Sequence, residues 1–233
     1  MHECLVNSIS FRVEGAEVIR RVESIGRSSV EEATVRKLVE HAQKIARPMA
    51  FYRIGCIEGR GPGWVEIHGV RLESRRLAEY TSEVNRVFLY IATCGSRLED
   101  WSRMLSGDEE VAIAEVIKEM ALEQVRKAMY RHMSETWHVD ISDAEEIHPG
   151  DKHGWSVTHM PVLFHLLGDT QARVGVSLTS RFELLPKRSA VGVIIPSGCN
   201  AITCNYCPNE ECQNRKAPCR EEELRKTYNL AGV

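Results

Sequence analysis

Residues 87–93, VFLYIAT, constrain this chain more than any other stretch, because a run of apolar and β-branched residues offers no polar side to water. A half-exposed strand alternates apolar and polar residues, whereas a strand without that alternation has to be covered on both faces. The expectation is a sheet packed on either side, with VFLYIAT at its centre.

The flanking periodicity supplies the covering layers. Residues 15–25 place Val18, Ile19, Val22 and Ile25 on one face of a short amphipathic helix, which Gly26 ends. Ser28 and Ser29, with Glu31 and Glu32 three positions on, read as a capping box for a second helix through Ala46. That helix is striped by Val35, Leu38, Ala42 and Ile45 and stopped by Pro48. AFYRIG and WVEIHGV read as two strands joined across the turn GRGPG, and Ser74 opens a helix through Tyr80. Cys94 and Gly95 close the central strand, and another helix starts at Ser96.

Residues 108–134 read as the longest helix, with Val111, Ala114, Ile117, Ala121, Val125, Ala128 and Met129 at helical spacing. Beyond it, residues 158–167 read as helix, and ARVGVSLT, FELL and AVGVIIP as three strands. Helices and strands mixed without a βαβ repeat predict an α+β fold: a twisted, mainly antiparallel sheet with flanking helices.

Composition narrows the function classes. A net charge of -3 and an aromatic content of 6% give neither the basic face nor the stacking residues of a nucleic-acid binder. The longest apolar run, residues 84–94, is interrupted by Asn85 and Arg86 and is far short of the roughly 20 residues of a membrane helix. The opening MHECLVNSIS lacks the basic and apolar regions of a secretory signal, so the expected compartment is the reducing cytoplasm.

In that compartment the tail stands out. Five of the eight cysteines, Cys199, Cys204, Cys207, Cys212 and Cys219, fall within 21 residues. The spacing C-x4-C-x2-C-x4-C lets the central pair converge on one ion through a tight turn, and Cys199 and Cys212 complete a four-sulfur shell. Cys219 is the spare, or replaces Cys212. Zinc would staple a tail too small for its own core, although the second C-x2-C pair of a zinc ribbon is missing. An iron-sulfur cluster suits dense single-stretch ligation, and Cys199, Cys204 and Cys207 match the opening spacing of plant-type 2Fe-2S ferredoxins. The chain thus divides at 197 into a folded body (1–196) and a metal-binding or cluster-binding tail (197–233). Cys4, Cys56 and Cys94 read as small buried hydrophobes.

Residues 154–196 carry a family resemblance. Leu167-Gly168, then Gly175, Leu178 and Thr179, then Pro186 and Ser189-Ala190-Val191-Gly192 follow a pattern of helix, strand, proline turn and strand. This pattern resembles the activation domain of cobalamin-dependent methionine synthase. Upstream, ARPMAFYR and VFLYIATCGSRLED are similar to stand-alone bacterial proteins of that family, so the resemblance covers most of residues 15–196. It implies an α+β domain that presents S-adenosylmethionine to a cobalt(II) corrinoid on a partner methyltransferase, where one electron and a methyl group restore methylcobalamin. A task that requires an electron favours iron-sulfur over zinc in the tail, of the 4Fe-4S type.

One loop departs from the family. Its pattern R-x-x-P-G-Y is matched by Pro149 and Gly150, but Glu146 stands at the arginine position and Asp151 at the tyrosine position. A carboxylate where a carboxylate's partner is expected reverses the local electrostatics and sets the chain against ordinary S-adenosylmethionine binding. The candidate cofactor-binding residues are therefore His148, Pro149 and Gly150 in this loop, with Trp155 either packed on the sheet or covering a flat ligand. His138, His148, His153 and His159, with Asp140, Asp143, Glu145, Glu146 and Asp151, make up a metal-capable segment or a solvated loop. Lys187 and Arg188 read as a solvated turn or as partners of an anionic ligand. No nucleophile stands out, because Ser189 has no evident base. Besides corrinoid redox maintenance, the sequence leaves open a zinc-stapled, non-catalytic partner-binding module and an S-adenosylmethionine-dependent activator without a cluster.

Overall fold

A computed structural model describes residues 2–26, 30–141, 144–150 and 155–196, together with Pro218. The five tail cysteines, Ser28, Ser29, Asp143, Asp151 and His153 lie outside the described residues.

The chain runs β1 (Glu3–Val6), α1 (Gly15–Ser24), α2 (Glu32–Ile45), β2 (Met49–Gly61), β3 (Trp64–Ile67), β4 (Val70–Glu73), α3 (Arg75–Tyr80), β5 (Arg86–Thr93), α4 (Ser96–Arg103) and α5 (Asp108–Trp137). It continues through β6 (Glu145–Ile147), a 3-10 turn (Val157–His159), α6 (Met160–Leu167), α7 (Thr170–Val174), β7 (Ser177–Leu178), β8 (Leu184–Leu185) and β9 (Ser189–Ile195). The main sheet has the order β4-β3-β2-β5-β9-β6, with β1 also on β2, and every pairing in it is antiparallel. The expected α+β class is what the structure has.

As expected, β5 is central and buried along its whole length. Its alternation sends Val87, Leu89 and Ile91 into one core with Val191, Val193 and the α6 residues Leu163 and Leu167. Phe88, Tyr90 and Ala92 face the opposite core, built with Val125, Met129 and Met133 of α5. A third cluster joins Val18 and Val22 of α1 and Val35 and Leu38 of α2 to Ile113 and Ile117 of α5. At roughly 1.5–3 kcal/mol for each large apolar side chain removed from water, these faces hold the layers together.

Several local expectations are corrected. α2 starts at Glu32 rather than at a Ser28 or Ser29 cap; Glu31 takes the capping position, its N–H donating to Glu109 of α5 at 3.0 Å. WVEIHGV is not one strand: His68 (φ 51) and Gly69 (φ 71) both adopt left-handed backbone and turn it into the β3–β4 hairpin. In ARVGVSLT the first half is helical, because Asp169 Oδ1 accepts the Ala172 N–H at 2.9 Å and caps α7, which Gly175 ends at φ 69. Only Ser177 and Leu178 remain as strand, and of FELL only Leu184 and Leu185 pair with them. Val111, placed on the apolar stripe of α5, is 36% exposed. Cys4 and Cys94 are buried, whereas Cys56 is half-buried. Among the described residues, no helix is long and apolar enough to cross a membrane.

Candidate functional site

β6 is the edge strand beside β9, in the register Glu146 with Ile194 and Ile147 with Val193. Strand alternation puts Ile147 in the core and turns Glu146 to the face that α5 covers. A carboxylate there loses water and has to be met by donors. Four groups meet it. The Tyr90 hydroxyl from β5 donates to Oε1, and Arg126 and the Tyr130 hydroxyl, one turn apart on α5, donate to Oε2. The fourth, His148 Nε2, lies 3.3 Å from Oε1.

The other ring nitrogen of His148 lies 2.9 Å from the Val191 carbonyl, an acceptor only, so Nδ1 carries a hydrogen. Nε2 and the Glu146 oxygen then face each other over one shared proton, held by either the imidazole or the carboxyl. The close approach of this ring to β9 depends on Gly192, which pairs with Tyr90. A Cβ at Gly192 would lie 2.8 Å from His148 Nδ1, 2.8 Å from the Ile147 carbonyl oxygen and 3.1 Å from Tyr90 Cε1. Burial pushes the Glu146 carboxyl up to about 7, while the Arg126 guanidinium pulls the other way by favouring the anion. Arg126 Nε is itself buried with no hydrogen-bond partner in the protein, so one guanidinium donor remains unspent beside the carboxylate.

The loop that follows is closed by the Gly150 N–H, which donates to the Trp155 carbonyl at 2.7 Å, with Gly150 at φ 90 and Pro149 buried. Trp155 is 1% exposed and belongs to the α6 side of the core. The structure therefore brings His148, Pro149 and Gly150 together beside Glu146 and places the Trp155 indole inside the protein. Arg188 is committed to ion pairs with Glu115 at 3.1 Å and Glu119 at 3.5 Å. Sequence reasoning missed Tyr90, Arg126 and Tyr130. The readable signal was Arg126 and Tyr130 at i and i+4, next to the apolar positions Val125 and Met129.

A second polar cluster lies further back on α5. Lys118 is 1% exposed, and its Nζ contacts Glu99 Oε2 at 3.0 Å, Ser102 Oγ at 2.9 Å and Glu115 Oε1 at 2.5 Å. Among the described residues, no three His, Cys, Asp or Glu side chains converge as a metal site.

Comparison with solved structures finds similarity to a crystal structure of the MetH reactivation domain bound to AdoHcy, with a TM-score of 0.55 and 11% sequence identity. The match covers 79% of this chain and 66% of that one, just under two thirds of its length. The fold is therefore related to that of the activation domain the sequence resembles. No protein-family model and no curated protein matches the chain.

Proposed function

We propose that this chain serves the reductive reactivation of a corrinoid-dependent methyltransferase. The observation that carries the reading is the fold shared with the MetH reactivation domain. In this reading the α+β body docks on a corrinoid-bearing protein in the cytoplasm. Cys199, Cys204, Cys207 and Cys212, with Cys219 in reserve, would hold a cluster, and that group would supply the single electron that cobalt(II) of the partner's corrinoid needs before a methyl donor can alkylate it. The tail's thiolate set suits a 4Fe-4S cluster, and such a cluster is a one-electron donor.

Glu146 decides how the methyl donor enters the proposal. The neighbour's structure holds AdoHcy, whose amino-acid end carries a carboxylate. In this chain a carboxylate of the protein already takes the donors at β6, so those residues do not fit a ligand carboxylate while Glu146 stays in place. The proposed division of labour is that this chain supplies the electron and the corrinoid partner's own methyl donor supplies the methyl group.

The test is iron, sulfide and zinc content with a visible spectrum on protein purified without oxygen, followed by mixing with a cobalt(II) corrinoid protein and a low-potential reductant. About four irons and four sulfides per chain, and faster loss of the cobalt(II) absorption than with reductant alone, are expected. One zinc and no iron would overturn the electron-transfer reading and leave a zinc-stapled module that binds a partner. A calorimetric titration showing tight S-adenosylmethionine binding would instead make the chain a methyl-donor activator.

A further inference from the structure

We infer that the Arg126, Tyr130, Tyr90 and His148 cradle is a carboxylate-binding site that the chain fills with its own Glu146. It is read from the donor geometry alone and stands apart from the corrinoid reading.

All four groups are hydrogen-bond donors or shared-proton partners aimed at the two oxygens of one carboxylate, and they come from β5, from α5 and from the residue just past β6. Such convergence is what recognises a carboxylate, with a guanidinium on one oxygen and neutral donors completing the shell. Glu146 does not use the cradle fully. It takes one terminal nitrogen of Arg126, while Nε stays buried without a partner. A free carboxylate, not tethered to β6, can take Nε and the terminal nitrogen together in the two-bond geometry that guanidinium favours. Once the Glu146 side chain is gone, the cradle keeps the positive charge of Arg126 and the Tyr90 and Tyr130 hydroxyls, with no negative group among them. The His148 ring keeps its place through Nδ1 and the Val191 carbonyl. The ligand class is a small carboxylic acid or the carboxylate end of a larger molecule.

The experiment is chemical rescue of Glu146→Ala in the full chain, with acetate as the probe and chloride at equal ionic strength as the control. The variant's thermal midpoint is expected to rise by several degrees and to saturate with acetate, as mass action requires of a ligand that binds only the folded state. The wild type, with its cradle filled, should not respond, and Arg126→Gln added to Glu146→Ala should abolish the rescue. If Glu146→Ala does not fold in plain buffer, it is refolded into acetate and into chloride. Recovery in acetate alone supports the site, and equal failure in both overturns it, as does a midpoint that acetate and chloride move alike. Because no metal or corrinoid enters the assay, a negative result leaves the reactivation reading to its own test.

Discussion

Lys118 and Arg126 lie about two turns apart on α5, and each meets a carboxylate, buried at Glu99 and partly buried at Glu146, but the two clusters are finished to different degrees. Around Lys118 the three Nζ donors each have an acceptor, Glu99, Ser102 and Glu115, and the lysine is sealed from water. Around Arg126 one donor is unspent, the His148 side chain is 37% exposed, and the carboxyl it flanks titrates near neutrality. A closed network of this kind fixes a structure. A network with a donor to spare and a half-exposed ring at its edge is not fixed in the same way, and for this reason the second is the functional candidate.

The most severe way to break the contrast is at the closed cluster. Lys118→Met removes the buried cation and leaves Glu99 with Arg103, 3.2 Å away and more than half exposed, as its remaining counter-charge, which should cost about 3 kcal/mol in urea unfolding, the low end for a broken buried pair. Adding Glu99→Leu should return part of that loss, because the buried carboxylate that only the exposed Arg103 still meets goes with it. A single-variant loss below about 1 kcal/mol would mean that the cluster is open to water after all.

The pH response separates the clusters by sign. Glu146 is raised above its ordinary 4.5, so between 4.5 and about 7 the folded chain holds a proton that the unfolded chain has released. Its contribution to stability therefore falls as pH rises through that window, by at most about 3 kcal/mol, less whatever Arg126 returns to the anion. Glu146→Gln should flatten this slope. Glu115 behaves in the opposite way: burial raises its carboxyl, but Lys118 and Arg188 outweigh burial and hold it below 4.5. Its contribution is present above 4.5 and is lost as pH falls through the lowered value. Unfolding curves from pH 4 to 8 that lose their slope equally in Glu146→Gln and Lys118→Met would erase the distinction.

Much of this architecture was legible because it follows local rules. VFLYIAT announced a strand covered on both faces, and Ser74, which accepts the Leu77 N–H at 3.1 Å, announced the start of α3. The errors came where tertiary or turn chemistry outvoted pattern. Val174 and Val176 suggested a strand, yet the Asp169 cap and Gly175 made a helical turn, and a more careful reading of Gly-Asp-Thr would have found that cap. The site was half legible. Glu146 was conspicuous as a departure, but its partners Tyr90, Arg126 and Tyr130 lie 56, 20 and 16 residues away, and only folding reveals such contacts. Lys118 left a fainter trace: a charged residue on the face of α5 shared by Ala114, Ile117 and Ala121.

Gly192 tests the open cluster from beneath. An added methyl group would press on the His148 ring, the Ile147 carbonyl and Tyr90 at once, so Gly192→Ala should destabilise by about 1–3 kcal/mol and move the His148 ring resonances. If the His148 resonances hold still while stability drops, the strain is taken up elsewhere and the ring does not depend on the glycine.

The finest discrimination comes from removing one hydroxyl on each side. Ser102→Ala takes one acceptor from Lys118, a group that is 1% exposed, so the orphaned donor has no water to turn to and the cost should reach about 1–3 kcal/mol. Tyr130→Phe takes one donor from Glu146, but Arg126 still holds the same oxygen, and its side chain is 33% exposed. Water can replace the lost hydroxyl there, and the expected cost is the smaller net value of an ordinary hydrogen bond, about 0.5–1.5 kcal/mol. Equal losses in paired urea titrations would place both clusters in the same dry interior. A larger loss at Ser102 would mean that water reaches the Glu146 cradle, as a ligand entering it has to do.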